Sequence, residues 1–230
     1  MLFLLLAAGA AKAQEDESCA ASSAEFTPVC EEHAVVPVGV TVLPTNAYKD
    51  CTLLRSVSLP DTLEEVGPSA FSGCTALSVL ELPTSLRLIG PYAFSRTALT
   101  SLALPASVDT IRMYAFNEVA SLKTAKLENA TALDALPIGI FWGCTALRSV
   151  TLPASLDKID SGAFYGCSAL SNLELPSGLR TIAEHAFRDC TSLGEVALPP
   201  LDFLGFNAFR GSSAKYELPR SAKHGETDDD

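Results

Sequence analysis

The 230-residue chain contains only three histidines, two methionines and one tryptophan, and charged residues make up 19% of it. Its 27 acidic residues outnumber its 16 basic ones, so the net charge is -11. This charge argues against a nucleic-acid partner, because nucleic-acid binders neutralise phosphates with Lys and Arg. The apolar run from Leu2 to Ala10 is about half the roughly 20 residues that a membrane-spanning helix needs. We therefore expect no membrane-spanning segment.

The usual constellations of catalytic and metal-binding residues are also missing. The three histidines, His33, His185 and His224, are far apart in the sequence, and no Cys-x-x-Cys pair or glycine-rich phosphate loop occurs. Nucleophilic catalysis needs a base held near a Ser or Cys, and a lone histidine is weak evidence for one. The sequence therefore predicts a protein that is not an enzyme and holds no metal or cofactor.

What the chain does contain is an internal repeat. Two columns of residues recur in step, a Leu-Pro pair and a phenylalanine, and the Leu-Pro spacings are all close to 23 residues. The Leu-Pro column starts at residues 59, 82, 104, 152, 175 and 198, with Leu127-Glu128 in the gap, and the phenylalanine column consists of Phe71, Phe94, Phe116, Phe141, Phe164, Phe187 and Phe209. Seven of the eleven phenylalanines thus belong to one column.

The unit from Cys144 to Gly166 shows what each repeat does. Val150 and Leu152 have the two-residue spacing of a strand, and Pro153 ends that strand because proline cannot donate a ladder hydrogen bond. A unit this short cannot bury its apolar face alone, but stacking on neighbouring copies does so. We expect a repeat solenoid of about 23 residues per coil, with a parallel sheet on one side and short turns or a helical return path on the other.

These residues resemble the BspA-like type of the leucine-rich repeat superfamily, whose units run Leu-x-x-Val-x-Leu-Pro and then Ile-x-x-x-Ala-Phe-x-Gly-Cys. The resemblance covers residues 50–219, about seven units. The fourth unit departs from it, since Glu128 replaces the proline and two extra residues precede Cys144, and we expect a bulged or kinked coil there. The family includes bacterial and protist surface proteins that adhere to host matrix proteins or to other cells, so the resemblance implies a recognition role.

The ends of the chain differ from the repeats. Residues 1–13 have the apolar run and small-x-small site of a signal peptide cleaved after Ala13, although a mispredicted start would give the same pattern. Residues 14–49 are expected to form an N-terminal cap and a degenerate first coil. Residues 220–230 are expected to be an acidic, disordered tail.

The seven cysteines divide into two sets. Cys51, Cys74, Cys144, Cys167 and Cys190 share a repeat column with Thr97, Val119 and Ser212, so we interpret them as reduced, buried fillers. Cys19 and Cys30 lie in the cap, and secretion would favour a disulfide between them. Asn129 opens an Asn-Ala-Thr glycosylation sequon, which matters in a eukaryotic secreted protein.

Two surfaces of the predicted solenoid are candidates for binding a partner. The outward positions of the predicted sheet are mostly small or weakly polar and lack an aromatic or Arg anchor. On the return path, aromatic side chains recur on successive units, and we predict that they form a contact ridge with the arginine that follows them. Its members are Tyr92, Tyr114, Trp142, Tyr165 and Arg188. The alternative is that these rings only shield neighbouring coils.

Two functional interpretations follow. The first is a secreted or cell-surface adhesion or recognition module, a monomer that binds a protein or glycoprotein ligand through an extended solenoid surface. The second is an intracellular, cytoplasmic leucine-rich repeat scaffold, for which the N-terminal run is an artefact. Signal cleavage and a cap disulfide favour the first interpretation, and seven free thiols favour the second.

Overall fold

The computed structural model describes residues 27–217 and 222–224. The chain winds as a stack of coils, and most coils contribute one short strand to each of two parallel ladders. The described residues contain no helix, so turns and two-residue strands form the return path. The predicted repeat solenoid is confirmed, with turns rather than helices on the side opposite the first ladder.

The first ladder, called the front sheet here, consists of β1 (His33–Val35), β3 (Ser56–Ser58), β5 (Val79–Leu80), β7 (Ser101–Ala103), β9 (Thr124–Lys126), β11 (Ser149–Thr151) and β13 (Asn172–Leu173). The return ladder consists of β2 (Val42–Leu43), β4 (Glu65–Val66), β6 (Leu88–Ile89), β8 (Thr110–Ile111), β10 (Ala135–Leu136), β12 (Lys158–Ile159), β14 (Thr181–Ile182), β15 (Phe203–Leu204) and β16 (Lys223–His224). All pairings between these strands are parallel, as a coiled path requires.

Each ladder is interrupted once among the described strands, and each interruption follows a change in repeat length. No pairing joins β5 to β7, where the unit is one residue shorter between Thr97 and Leu99 than between Cys74 and Leu77. No pairing joins β8 to β10, which follows the two-residue insertion of the fourth unit. Pro137 contributes to the second interruption, because the residue at its position donates a backbone N–H to the preceding coil elsewhere, as Asp160 does to Leu136 at 2.9 Å.

The core is a continuous stack of aromatic rings. Neighbouring rings have centroids 5.0–5.9 Å apart and interplanar angles of at most 25° along the series Tyr48, Phe71, Phe94, Phe116, Phe141, Phe164, Phe187 and Phe209. The small alanine that precedes most of these phenylalanines is buried too, so adjacent coils approach closely. The phenylalanine column seen in the sequence is therefore the axis of the core.

Polar side chains in the repeat also bridge adjacent coils. Ser85 Oγ donates to the Leu63 carbonyl at 2.6 Å and Ser155 Oγ to the Leu133 carbonyl at 2.8 Å. The buried thiols act similarly: each Sγ–H donates to a carbonyl of the preceding coil at 2.9–3.2 Å, for Cys74, Cys144, Cys167 and Cys190. The prediction that the column cysteines are reduced and buried therefore agrees with the structure at these four positions.

The fifth column cysteine corrects two expectations. Cys51 is bonded to Cys30, with the two Cα atoms 5.2 Å apart, so Cys51 is not reduced and Cys30 is not paired with Cys19. Cys51 belongs to the first coil, which has no preceding coil. The segment around Cys30 therefore takes the place that a preceding coil takes beside the other column cysteines. Cys19 itself lies outside the described residues, as does the predicted signal peptide.

The C-terminal tail differs from expectation at residues 222–224. We predicted disorder from Arg220 onward, but Lys223 and His224 pair in parallel with Phe203 and Leu204 of β15, and Ala222 packs against the core. The physical reason is that β15 presents an open strand edge, and its backbone groups accept a short strand whatever its side chains. The other predicted tail residues lie outside the described residues.

Replacing Phe164 with Ala removes one ring from the middle of the stack. We expect the free energy of unfolding to fall by about 3–5 kcal/mol, the usual cost of truncating a buried phenylalanine. Urea unfolding followed by circular dichroism measures this change. Ser101→Ala, at an exposed front-sheet position, is the matched control and should change stability by less than about 0.5 kcal/mol. Equal effects of the two variants would contradict the proposed core.

Thiol labelling tests the division of the cysteines. Burial raises the pKa of Cys144 and of Cys190 to about 12, so almost no reactive thiolate is present in the folded protein at neutral pH. We expect iodoacetamide to leave the four buried thiols unlabelled in the native protein and to label all four after unfolding without reductant. Peptide mapping should recover Cys30 linked to Cys51. Recovery of a Cys19–Cys30 link would contradict this pairing.

Candidate partner-contact surface

Each coil turns sharply on the return path at a residue with positive φ. This corner column holds Ser69, Tyr92, Tyr114, Gly139, Gly162, His185 and Asn207, with φ between 53° and 62°. The residue types at these positions vary from unit to unit, but they share one backbone conformation. A side chain in this region of φ costs free energy that the surrounding packing must offset.

The corners are fixed by backbone hydrogen bonds from coil to coil. Tyr114 N–H donates to the Ile138 carbonyl at 2.9 Å, Phe116 N–H to the Ile140 carbonyl at 3.0 Å and Glu118 N–H to the Trp142 carbonyl at 2.6 Å. These bonds join the two coils between which the return ladder is interrupted. The corner therefore stays in register across the irregular fourth unit.

The structure brings the five predicted ridge residues together in one row. Tyr92 stacks on Tyr114, with centroids 5.1 Å apart and an interplanar angle of 13°. Tyr114 meets Trp142 in a tilted contact at 6.3 Å, and Trp142 stacks on Tyr165 at 4.0 Å and 6°. The Arg188 guanidinium carbon is 5.4 Å from the Tyr165 ring centroid, within cation–π range.

Two glycines let this row pass from the tyrosine column to the tryptophan column. A Cβ on Gly139 would lie within van der Waals overlap of the Tyr114 ring, and a Cβ on Gly162 would lie 2.9 Å from Trp142 Cε3. Both glycines also have positive φ, which suits a residue without a side chain. The rings of Tyr114 and Trp142 thus rest over the glycine of the next coil.

The row combines stacked and tilted ring contacts. Rings stack face to face in the pairs Tyr92–Tyr114 and Trp142–Tyr165, whereas Tyr114 and Trp142 meet at 60°. Two apolar side chains lie in the neighbouring column and were missed by the sequence analysis: Met113 is 48% exposed and Ile138 is 40% exposed. The sequence contained a signal for them, because Met113 and Ile138 occupy the repeat position that Pro68 and Pro91 hold in the two preceding units.

We call the combined surface the corner patch. It consists of Tyr92, Met113, Tyr114, Ile138, Trp142, Tyr165 and Arg188. Tyr92 is 40% exposed, so three large apolar side chains of this patch are open to solvent on adjacent coils. Contiguous exposed apolar surface of this kind marks interaction sites in soluble proteins.

Charged groups surround the patch. Arg96 Nε and Glu118 Oε2 form an ion pair at 2.5 Å, and this hydrogen bond raises the pKa of the Arg96 guanidinium. Arg188 lies 3.6 Å from the carboxylate of Asp189. Arg112 is exposed next to Met113, and no acidic side chain of the described residues pairs with it. An unpaired positive charge thus lies at the rim of the patch in a chain that is acidic overall.

Three side-chain atoms in or near the patch are buried without a hydrogen-bond partner among the described residues: Asn117 Oδ1, His185 Nδ1 and Arg188 Nε. Asn117 is 8% exposed and its Oδ1 has no partner within the described part of the chain. It lies one coil before Trp142 in the same column, next to the buried Ser95. His185, at the corner of a later coil, makes a tilted ring contact with Phe206 at 6.1 Å.

The front sheet offers less to a partner. Its outward side chains are mostly small or polar, with Val35 and Val79 as exposed apolar exceptions, and a shallow groove of about 400 Å³ lies along β11 and β13. Ser149, Thr151, Asn172 and Glu174 contribute its polar groups. The groove contains no aromatic or Arg side chain among these residues, and such anchors dominate binding energy at protein interfaces.

The repeat geometry agrees with a comparison to protein families. The model of the BspA-type leucine-rich repeat region matches residues 41–135 and 129–218 in six copies, which is most of the chain. The chain belongs to the BspA-type leucine-rich repeat family. Leucine-rich repeat solenoids are in general non-catalytic interaction scaffolds, and membership therefore suggests a protein-binding repeat module. No curated protein matches the chain in sequence.

Solved structures share the repeat architecture. A leucine-rich repeat protein of T. pallidum is 28% identical with a TM-score of 0.55, covering 63% of this chain and 80% of that one. A leucine-rich repeat protein of Bacteroides ovatus is 21% identical with a TM-score of 0.49, covering 84% and 74%. A leucine-rich cell surface protein of Faecalibacterium prausnitzii is 18% identical with a TM-score of 0.42, covering 79% and 71%. The first of these likenesses supports the solenoid fold.

Within the described ranges, no helix has the length and apolar character to cross a membrane. In the same ranges, no group of three or more His, Cys, Asp or Glu side chains is arranged to hold a metal ion. Among the predicted site residues, the five ridge residues are the ones that the described structure brings together. Asn129 lies apart from them.

Gly139→Ala tests how the row is built. The added methyl group meets the Tyr114 ring, and alanine is strained at this φ, so we expect the free energy of unfolding to fall by about 1–3 kcal/mol. The fluorescence of Trp142, the only tryptophan in the chain, should change as the neighbouring ring moves. Gly178→Ala is the control, because a Cβ there meets its nearest atom at 3.7 Å. Unchanged fluorescence and stability in Gly139→Ala would contradict the packing described.

Proposed function

We propose that the chain is a secreted or cell-surface recognition module that binds another protein through the corner patch. The exposed apolar surface on adjacent coils carries the proposal. Aromatic residues, Met and Arg are enriched at the centres of protein interfaces, and all of these occur in the patch. Neighbouring coils fix the patch by backbone hydrogen bonds, so binding would require little ordering of the surface.

The orientation of the rings favours a protein partner over a sugar. A sugar ring usually packs on the face of an aromatic ring, and here the stacked pairs Tyr92–Tyr114 and Trp142–Tyr165 cover the faces that they share. The exposed side chains of Met113 and Ile138 suit an apolar protein surface, and tyrosine adds a polar tip to its apolar ring. The unpaired Arg112 at the rim favours a partner that places a carboxylate beside its apolar contact.

The cysteines support an extracellular location. A disulfide between Cys30 and Cys51 ties the first coil to the preceding segment, and such bonds persist mainly in oxidising compartments. The remaining thiols of the repeat are buried, which protects them from oxidation there. The cytoplasmic scaffold is the alternative, and its specific expectation is that Cys30 and Cys51 are both reduced in the native protein.

Site-specific photo-crosslinking tests the proposal. A benzophenone amino acid is placed at Ile138 in one variant and at Ser101 of the front sheet in another, and each is expressed in the cells that produce the protein. We expect a covalent adduct with another protein from position 138 and none from position 101. An adduct from Ser101 alone, or from neither position, would contradict binding through the patch.

Substitution then measures what the patch contributes. With the cross-linked protein purified as the probe, Met113→Ser combined with Ile138→Ser should weaken binding at least tenfold, since apolar contact area is lost. Arg112→Glu should weaken binding more at low salt than at high salt, because screening reduces the effect of an exposed charge. Thr181→Ala, outside the patch, is the control. Wild-type affinity in both patch variants would exclude the patch as the contact surface.

A further inference from the structure

The irregular fourth unit holds a feature that the partner-binding proposal does not use. In the regular coil β11–β12, Leu152 is followed directly by the buried Pro153, and Leu156 N–H donates to the Pro153 carbonyl at 3.2 Å. In coil β9–β10 the same bond runs from Leu133 N–H to the carbonyl of Ala130, at 3.0 Å. Ala130 is buried and thus takes the place of the proline, which corrects the expectation that Glu128 does so.

This correspondence identifies the two extra residues as Glu128 and Asn129. Ala130 N–H donates to the Leu127 carbonyl at 3.0 Å, so Glu128 and Asn129 form the two central positions of a tight turn. Both side chains are exposed. The front sheet pairs normally on both sides, with Lys126 opposite Ala103 and opposite Thr151. The insertion therefore projects from the coil and leaves the stacked core in register.

The turn is fixed on one side and free on the other. The Glu128 carboxylate accepts a hydrogen bond from Thr151 Oγ1 of the next coil, and this bond lowers the pKa of Glu128. No side-chain hydrogen bond of Asn129 or Thr131 to the described residues is present, and Thr131 is exposed as well. Asn129-Ala130-Thr131 is the only Asn-x-Ser/Thr sequence in the chain.

We propose that this turn is an N-glycan acceptor site, occupied at Asn129 when the chain passes through a eukaryotic secretory pathway. The donor is an oligosaccharide linked to a lipid diphosphate. Asn129 Nδ2 bonds to C1 of the first sugar, the C1–O bond to the diphosphate breaks, the lipid diphosphate leaves with the electron pair, and the amide nitrogen loses one proton. Because Asn129 projects from the coil, the glycan is accommodated without change to the core, whereas the buried proline position of a regular coil would not accommodate one.

Secretion of the full chain behind a heterologous leader from mammalian cells tests the inference. We expect the wild-type protein to be secreted with a glycan that peptide N-glycosidase removes, leaving aspartate at position 129. Asn129→Gln and Thr131→Ala should each abolish the modification, while Thr131→Ser should keep it. Wild-type protein secreted without a glycan would overturn the inference.

A relocated sequon is the matched control. Asn129→Gln combined with Pro153→Asn creates Asn-Ala-Ser at the buried equivalent of Ala130, and we expect its glycosylated form to be retained in the cell. Secretion of this variant, fully glycosylated and at the wild-type level, would overturn the role assigned to the turn. Glycan occupancy does not depend on the corner patch, so a glycosylated protein that binds nothing contradicts only the proposed function.

Discussion

The register between adjacent coils is the constraint on which the rest of the structure depends. No coil has a core of its own: Phe116 lies between the rings of Phe94 and Phe141, and its backbone N–H is paired with the carbonyl of Ile140 in the following coil. A side chain that leaves its column loses contacts on both sides. The stack therefore tolerates changes in length only where the extra or missing residues stay outside the columns, as at Glu128 and Asn129.

The two changes of length have different consequences for the surface. The shorter unit after Thr97 interrupts the front sheet, and the insertion after Leu127 precedes the interruption of the return ladder. The corner nevertheless keeps its hydrogen bonds, such as that from Tyr114 N–H to Ile138. At this point the aromatic row moves from one column to the next over a glycine. The irregular unit thus adds surface features, an exposed turn and an offset in the aromatic row, without altering the core.

Much of this architecture could be predicted from the sequence, because columns of Phe, Leu and Cys report directly on stacking. The five ridge residues were predicted for the same reason: aromatic side chains at the same position of successive coils must come close together. The partner of Cys30 could not be predicted, since pairing depends on how the cap approaches the first coil. Met113 and Ile138 were missed because their column is variable, and Lys223–His224 form a strand through backbone groups that the sequence pattern does not reveal.

We propose that the corner patch, and not the front sheet, is the surface that meets a partner. Hydroxyl-radical footprinting of the native protein on or around its producing cells, compared with the purified protein, tests this most directly, because Met113 and Trp142 are oxidised readily when exposed. We expect Met113, Tyr114 and Trp142 to be protected in the native setting while front-sheet side chains keep their reactivity. Protection of the front sheet, with an unprotected corner patch, would contradict it.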